Sequence, residues 1–506
     1  MYATEVVDKT VQDLIDVLGK ENVLTEMRHK VTRSASCSPF PVQRWKDHLP
    51  DIVVLPSTTE DVVEIVKIAN KNNIPIVPRG GGSGLADGAV PLKHGIVVDI
   101  KKMNQILEID EENMTVTVQT GINLLKLNEV LGKLGYWHPD DPAGYINATV
   151  GGRIGCSGLS LVGSGHGHVR DLVVSMEHVL PTGEVIHVGE GGGKKLRKSA
   201  VGYRLKDLFI GHQGTLGIAT EAVLEMFPRP EAVFPAFFAF KSFQENYEAI
   251  YKLGTSGLKT LSTLIMYDER KIEYLRRDDE AFIPLLEDDM SVICTVLYGT
   301  LAEVNEAKKV IFKIAKECGG RYLGQEMSEG DWASRHDRYH IPFHGRRADG
   351  QVVLLSWHCE DAGINYSELP KVKEKWHKIV NKYVAKHDGI FDNWGMFMYT
   401  ANPNKPWGDY LTEIDIGVNE LAMTDEIWED WLKMKAEISQ VVMEAEGTVS
   451  VCHGGTRPGD EEVVCFEELG PNGNYELMKK IKKMLDPNNI MNPNKYLLDN
   501  AYKEEE

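Results

Sequence analysis

Apolar and polar positions near the start of the chain alternate between two periods. Val11, Leu14, Ile15 and Leu18 recur at helical spacing and predict a helix over 8–30. Short unbroken apolar runs at 52–56, 74–78 and 95–100 then predict buried strands. Between the first two, Ser57-Thr58-Thr59-Glu60 has capping-box spacing and opens a helix with apolar residues at 62, 63, 65, 66, 68 and 69. The result is a strand–helix–strand unit whose second strand runs into Arg79-Gly80-Gly81-Gly82-Ser83-Gly84. Sequence rich in strand formers follows from 106 to 120.

Residues 124–136 predict one helix, and 144–170 are rich in Gly, Ser and His with little periodicity. Strand patterns return at 171–180 and 184–188, split by the turn Pro181-Thr182-Gly183. Beyond Pro228-Arg229-Pro230 glycine thins out. Helical stretches (243–254, 302–317, 368–386, 424–446) then alternate with strands (290–298, 410–418). Along 410–416, Leu411, Glu413 and Asp415 share one face; Tyr410, Thr412, Ile414 and Ile416 share the other, more apolar one, so Tyr410 points inward. These changes predict an α+β chain with a domain boundary at Pro228-Arg229-Pro230.

Composition narrows the function. The chain has 506 residues and a net charge of −19, a surface that repels phosphate backbones and anionic lipid, so nucleic-acid and membrane-surface binding are excluded classes. The longest apolar stretch, 232–240, is far short of a membrane span and contains Pro235. With an acidic amphipathic N-terminus, the expectation is a soluble, cytoplasmic protein without membrane insertion. Seven scattered cysteines form no CxxC pair, which leaves neither a disulfide scaffold nor ligand spacing for an iron–sulfur cluster.

Three glycine clusters carry the candidate chemistry: 80–84, 151–155, and Gly211, Gly214 and Gly217. Bare backbone amides approach a diphosphate closely, and Ser83 and Ser157 add hydroxyl donors. The first cluster fails GxGxxG because Asp87 stands where the third glycine is needed. The run 189–195 fails the P-loop pattern at Val188 and Lys195.

The order of these motifs resembles the FAD-binding domain of the vanillyl-alcohol-oxidase/para-cresol-methylhydroxylase superfamily. The residues that carry the likeness are Val54-Leu55-Pro56, Val77 to Gly84, Val118-Gln119-Thr120-Gly121, Asp141-Pro142, Val150-Gly151-Gly152-x-x-Gly155, Asp171 to Val174, Leu208 to Ile218, and the tail Leu485 to Lys495. The resemblance implies a two-subdomain PCMH-type FAD-binding domain over 1–231, an α/β substrate cap over 232–455 and a terminal segment, 456–506, that returns to the first domain, with FAD as cofactor and oxidation of a CH–OH or benzylic carbon. It places Pro78, Arg79, Gly80, Gly81, Gly82, Ser83 and Gly84 on the pyrophosphate, with Asp141, Pro142, Gly151, Gly152, Gly155, Cys156, Ser157, Ile218 and Asn492 along the rest of the cofactor. Gly82 and Ser83 stand where relatives that link flavin through this loop carry histidine, so no covalent bond is expected there.

For catalysis the resemblance singles out two segments. Counting back from Met176-Glu177 puts His168 where one branch carries an acid near flavin N5. Cys452-His453-Gly454-Gly455 resembles a segment whose histidine acts as base, with Arg457 nearby for an anionic substrate. Tyr410 is the candidate tyrosine beside flavin and substrate; Arg338, Tyr399 and Trp407 are candidate substrate contacts. The paired histidines of the metal-using 2-hydroxy-acid dehydrogenases are absent and Cys452 replaces their glutamate, so no metal is expected. His336 and His340 share helical spacing with His344, but Pro342 interrupts the run. A small 2-hydroxy acid is the expected substrate, with a phenol or aryl alcohol, or a non-redox ether-lipid synthase reaction, as alternatives. A dehydrogenase of this type requires an external electron acceptor or a partner subunit, and a homo-oligomer is compatible with the sequence.

Overall fold

The computed structural model describes residues 2–34, 46–278, 290–336, 345–346, 352–353, 356–400, 408–455 and 461–503. Arg338, His340, His344, Trp407 and Arg457 lie outside the described residues.

The strand–helix–strand unit forms as its pattern dictates. Ile52–Val54, Ile96–Asp99 and Ile76–Arg79 pair in parallel, in that order, joined by the crossover helix Thr59–Asn72. Thr58 and Asp61 complete the capping box at the helix start. Val62, Ile65, Val66 and Ala69 turn one helix face onto the sheet, against Ile52, Val54, Ile76 and Ile96. The predicted 8–30 helix is broken: Thr4–Leu18 ends at Gly19, whose φ of 82° leaves the helical region, and Val23–Leu24 adds an antiparallel edge strand.

A second sheet is antiparallel throughout, in the order Ile106–Asp110, Thr115–Gln119, Ile218–Glu225, Val173–Val179, Val185–Gly189. Helices Leu124–Lys133 and Val150–Cys156 contribute Leu124, Leu127, Leu131, Val150 and Ile154 to its core. Together the two sheets and their helices give the first domain a mixed α+β fold.

From residue 232 a third, eight-stranded antiparallel sheet begins; its centre runs Leu261–Tyr267, Phe391–Thr400, Asp409–Val418, Ser356–Asn365. Helices Phe243–Gly254, Leu301–Glu317, Leu369–Lys386 and Asp425–Glu444 bury their apolar stripes on one face. The other face meets the first domain, where Leu159, Leu161 and Val162 pack against Phe237, Ile265, Phe397 and Leu411. Strand period two thus divides 410–416: Tyr410, Ile414 and Ile416 join the helix-side core, while Leu411 faces the first domain. No helix of the described residues is long and apolar enough to cross a membrane.

Candidate active site

Between the glycine turns and the cap sheet lies a cavity of about 430 Å³, within the range of small-molecule and cofactor sites. Pro78, Arg79, Gly80, Gly81, Gly82, Ser83 and Gly84 line it from the end of the Ile76–Arg79 strand. Pro142, Gly151, Gly152, Gly155, Cys156, Gly214, Gly217 and Ile218 line it from the second sheet and its helices. The glycines let two segments touch: a Cβ on Gly81 would fall 1.9 Å from the Asn147 carbonyl oxygen. Gly82 adopts φ +68°, a region that disfavours side chains. By contrast, Cβ positions built on Gly84 and Gly155 meet nothing within 4 Å, so bare backbone opens onto the cavity there.

The chemistry of this wall fits FAD. Glycine amides and the Arg79 guanidinium suit a diphosphate, Ile100, Ile154 and Ile218 suit flat rings, and the only carboxyl group among the described lining residues, Glu413, belongs to the cap. Arg153 also lines the cavity, but its charge is committed. It forks onto Asp140 at 2.6 and 2.8 Å and donates to the Gly158 and Leu159 carbonyls, all buried.

Several expected contacts lie off the cavity wall. Asp141 turns to the cap, accepting from Arg335 Nε at 2.9 Å and His336 Nε2 at 2.6 Å. Burial alone would raise its pKa; Arg335 and His336 outweigh burial and hold the carboxyl below its usual range. Ser157 ends the Val150–Cys156 helix in a left-handed conformation and lines a neighbouring cavity instead. Asn492 acts one layer out, its amide donating to the Gly88 and Gln213 carbonyls at 2.7 and 2.6 Å. His168 is a helix cap: its backbone amide donates to Asp171 and its Nδ1 accepts from Ser160 N at 3.0 Å. Buried in those bonds, it does not line the cavity. Tyr410, fully buried beside Tyr366, sits on the wrong face of the cap sheet to reach flavin or substrate.

His453 does reach the cavity, with Cys452, Trp357, Phe397 and Tyr399. What positions it is a residue the motif reading missed. Asp361, on the Ser356–Asn365 strand, accepts from Val451 N at 2.8 Å, Cys452 N at 2.9 Å, the Ser450 hydroxyl at 3.0 Å, and His453 Nδ1 at 2.7 Å. Ser450, at φ 72°, closes the turn by accepting from the His453 and Gly454 amides. Burial opposes an imidazolium here, but Cys452, Cys359 and Asp361 outweigh it and raise the ring's pKa well above the usual value. These surroundings favour the protonated ring, which bears directly on the role of base that its motif implies.

Glu413, also missed, stands directly opposite Asp361 across the strand pair and opposite Phe397 on the other side. It is 2% exposed, and its Oε1 has no hydrogen-bond partner among the described residues. Burial, then the neighbouring Asp415, raise its pKa well above the carboxylate range. Asp415 itself is neutralised by Lys271. Donor atoms of Cys359, Glu413 and a ring nitrogen of His453 lie within 4.8 Å of one another, yet Nδ1 of that ring is turned to Asp361. Strand alternation put Glu413 on the correct face; nothing in the sequence gave its partner across the sheet.

Comparison with known proteins agrees with this geometry. The FAD binding domain family matches residues 50–189, and the C-terminal domain of FAD linked oxidases matches 229–496. The chain is 29% identical to the glycolate oxidase subunit GlcD of Bacillus subtilis (strain 168), covering 97% of each chain. It is 28% identical to a probable mitochondrial D-lactate dehydrogenase of Danio rerio, covering 98% of this chain and 93% of that one. In three dimensions it is similar to p-cresol methylhydroxylase with substrate bound, with a TM-score of 0.79 at 21% identity, over 98% of this chain and 97% of the other. The chain belongs to the FAD-linked oxidases, flavoenzymes that act on CH–OH donors.

Proposed function

We propose that this enzyme oxidises a small 2-hydroxy acid to the 2-oxo acid. The observation that carries the reading is the Asp361–His453 pair on the cap wall of the cavity: a fixed, cationic hydrogen-bond donor next to a flavin site. The relatives named for glycolate and D-lactate support the same substrate class. When bound, FAD supplies the two-electron acceptor. Arg79 and the glycine amides would hold its phosphates, with Ile100, Ile154 and Ile218 beside it. Asp361 fixes the His453 ring so that its other nitrogen is free to hydrogen-bond a substrate oxygen. Trp357, Phe397 and Tyr399 keep the substrate end dry. That aromatic wall also favours a second reading, a phenol or aryl alcohol.

Anaerobic titration separates the two. Glycolate, D- and L-lactate, longer 2-hydroxy acids and 4-alkylphenols are added in turn while visible flavin absorbance is followed. Bleaching by 2-hydroxy acids alone is the expected result; bleaching by phenols alone would transfer the enzyme to the second class.

A further inference from the structure

Two carboxyl groups face each other across adjacent strands, Glu413 on the cavity wall and Asp361 behind His453, and their surroundings are opposite. Asp361 is surrounded by donors: two backbone amides, a serine hydroxyl and the His453 ring. Glu413 has an oxygen with none, although it is buried and lines the cavity. Like charges directly opposite on a sheet repel, so the better-solvated member of such a pair loses its proton first and the other only at higher pH. Asp361 is that member, and Glu413 is left as the group that exchanges a proton with whatever enters the cavity.

We propose that Glu413 is the catalytic residue that takes the hydroxyl proton of the substrate, while His453, locked as a cation by Asp361, offsets the substrate's negative charge. The proposal rests on the hydroxy-acid reading. In the step, the substrate O–H bond breaks and its proton forms a new O–H bond on the Glu413 carboxylate. The oxygen's electron pair becomes the second bond of the product carbonyl. The C–H hydrogen would leave with its two electrons, for which bound FAD would supply the acceptor, so that the substrate's oxidation is balanced by reduction of the flavin. Paired groups whose environments drive their proton affinities apart are the usual mark of divided acid–base roles.

The groups that face Glu413 set its titration. They are Cys359 and Asp361 on the neighbouring strand, Tyr399 on the strand opposite, Asp415 on its own strand with Lys271 reaching it from the Glu269–Asp278 helix, and Cys452 and His453 on the turn. Of these His453 lowers its proton affinity, while Asp415, Asp361 and Cys452 raise it.

Two measurements on the FAD-loaded enzyme test this. Infrared difference spectra of wild type against Glu413→Gln, without substrate, are expected to show a protonated carboxyl band that persists above the ordinary glutamate range and disappears as pH rises further. No such band overturns the proposal whatever the substrate proves to be. With a hydroxy acid that bleaches wild type, the flavin-reduction rate is expected to rise with pH through that same titration. Glu413→Gln is expected to lower it by about 10²–10⁴-fold with FAD retained. His453→Asn is expected to keep the rising limb but move it to higher pH, because the neighbouring cation is gone. A Glu413→Gln rate within about threefold of wild type overturns the proposal; so does a limb that vanishes in His453→Asn, which would make the imidazole the base. A stoichiometric divalent metal retained by wild type and lost from Glu413→Gln also overturns it. If no hydroxy acid bleaches wild type, the substrate reading fails, while the infrared result still decides the state of Glu413.

Discussion

Asp361→Asn removes one oxygen's worth of negative charge and nothing of the side chain's shape. The amide oxygen can keep the Val451 and Cys452 amides, at 2.8 and 2.9 Å in the wild type. Its NH₂ then faces His453 Nδ1, which must give up its proton to accept. The lost bond to the charged ring is worth about 1.5–3 kcal/mol. At 1.36 kcal/mol per unit, the His453 pKa is expected to fall by about 1–2 units. Histidine ring ¹⁵N titration by NMR reads this directly, with His453→Asn identifying the resonance. The same energy appears as stability. A histidine whose folded pKa is raised contributes stability that is complete below the unfolded value of about 6.5 and fades as pH rises through the folded one. Denaturant curves of wild type and variant are therefore expected to differ by about 1.5–3 kcal/mol near pH 6 and to converge at alkaline pH. Flavin reduction is expected to slow by no more than about 10–150-fold, the kinetic equivalent of that energy. A ring that titrates identically in both proteins would refute the reasoning.

Other expectations follow from the same geometry. Gly81→Ala drives a methyl into the Asn147 carbonyl, and purified protein is expected to be largely colourless; full flavin content in that variant would contradict the cradle. His168→Ala keeps the backbone bond to Asp171 but leaves the buried Ser160 N without its acceptor, so about 1–2 kcal/mol of stability should disappear with flavin reduction little changed. A large rate loss at unchanged stability would return His168 to the flavin. Asp141 is held below its usual pKa, so the stability it contributes is present above about pH 4 and lost as pH falls through the folded value. Acid unfolding of Asp141→Asn should consequently show a shallower pH dependence than wild type over that range.

The glycine turns were legible because backbone demands are local. A run such as Gly80 to Gly84 at the end of an apolar strand has few other uses, and its neighbours in sequence are its neighbours in space. The strand alternation that put Tyr410 opposite Glu413 was equally readable. That alternation also removes Tyr410 from the site, which the motif comparison alone did not. His168 and Asp141 misled for one reason: a polar residue in a flavin-type motif serves as well to cap a helix or anchor a cap domain as to touch the cofactor. Asp361 and Glu413 were invisible because their significance is a register between strands some fifty residues apart in sequence, and no local pattern encodes which residue faces which.

The tail has a consequence for how the enzyme is made. Ile76 donates to Ile490 O at 2.6 Å and accepts from Asn492 N at 2.7 Å. Lys482 and Lys495 reach the carbonyls of Thr215 and Asp87, and Asn492 ties Gly88 to Gln213. The loops that line the cavity are synthesised well before the residues that fasten them. A nascent chain thus carries the cavity unlatched until residues 482–495 have been made, and tight binding of a coenzyme there can only follow them.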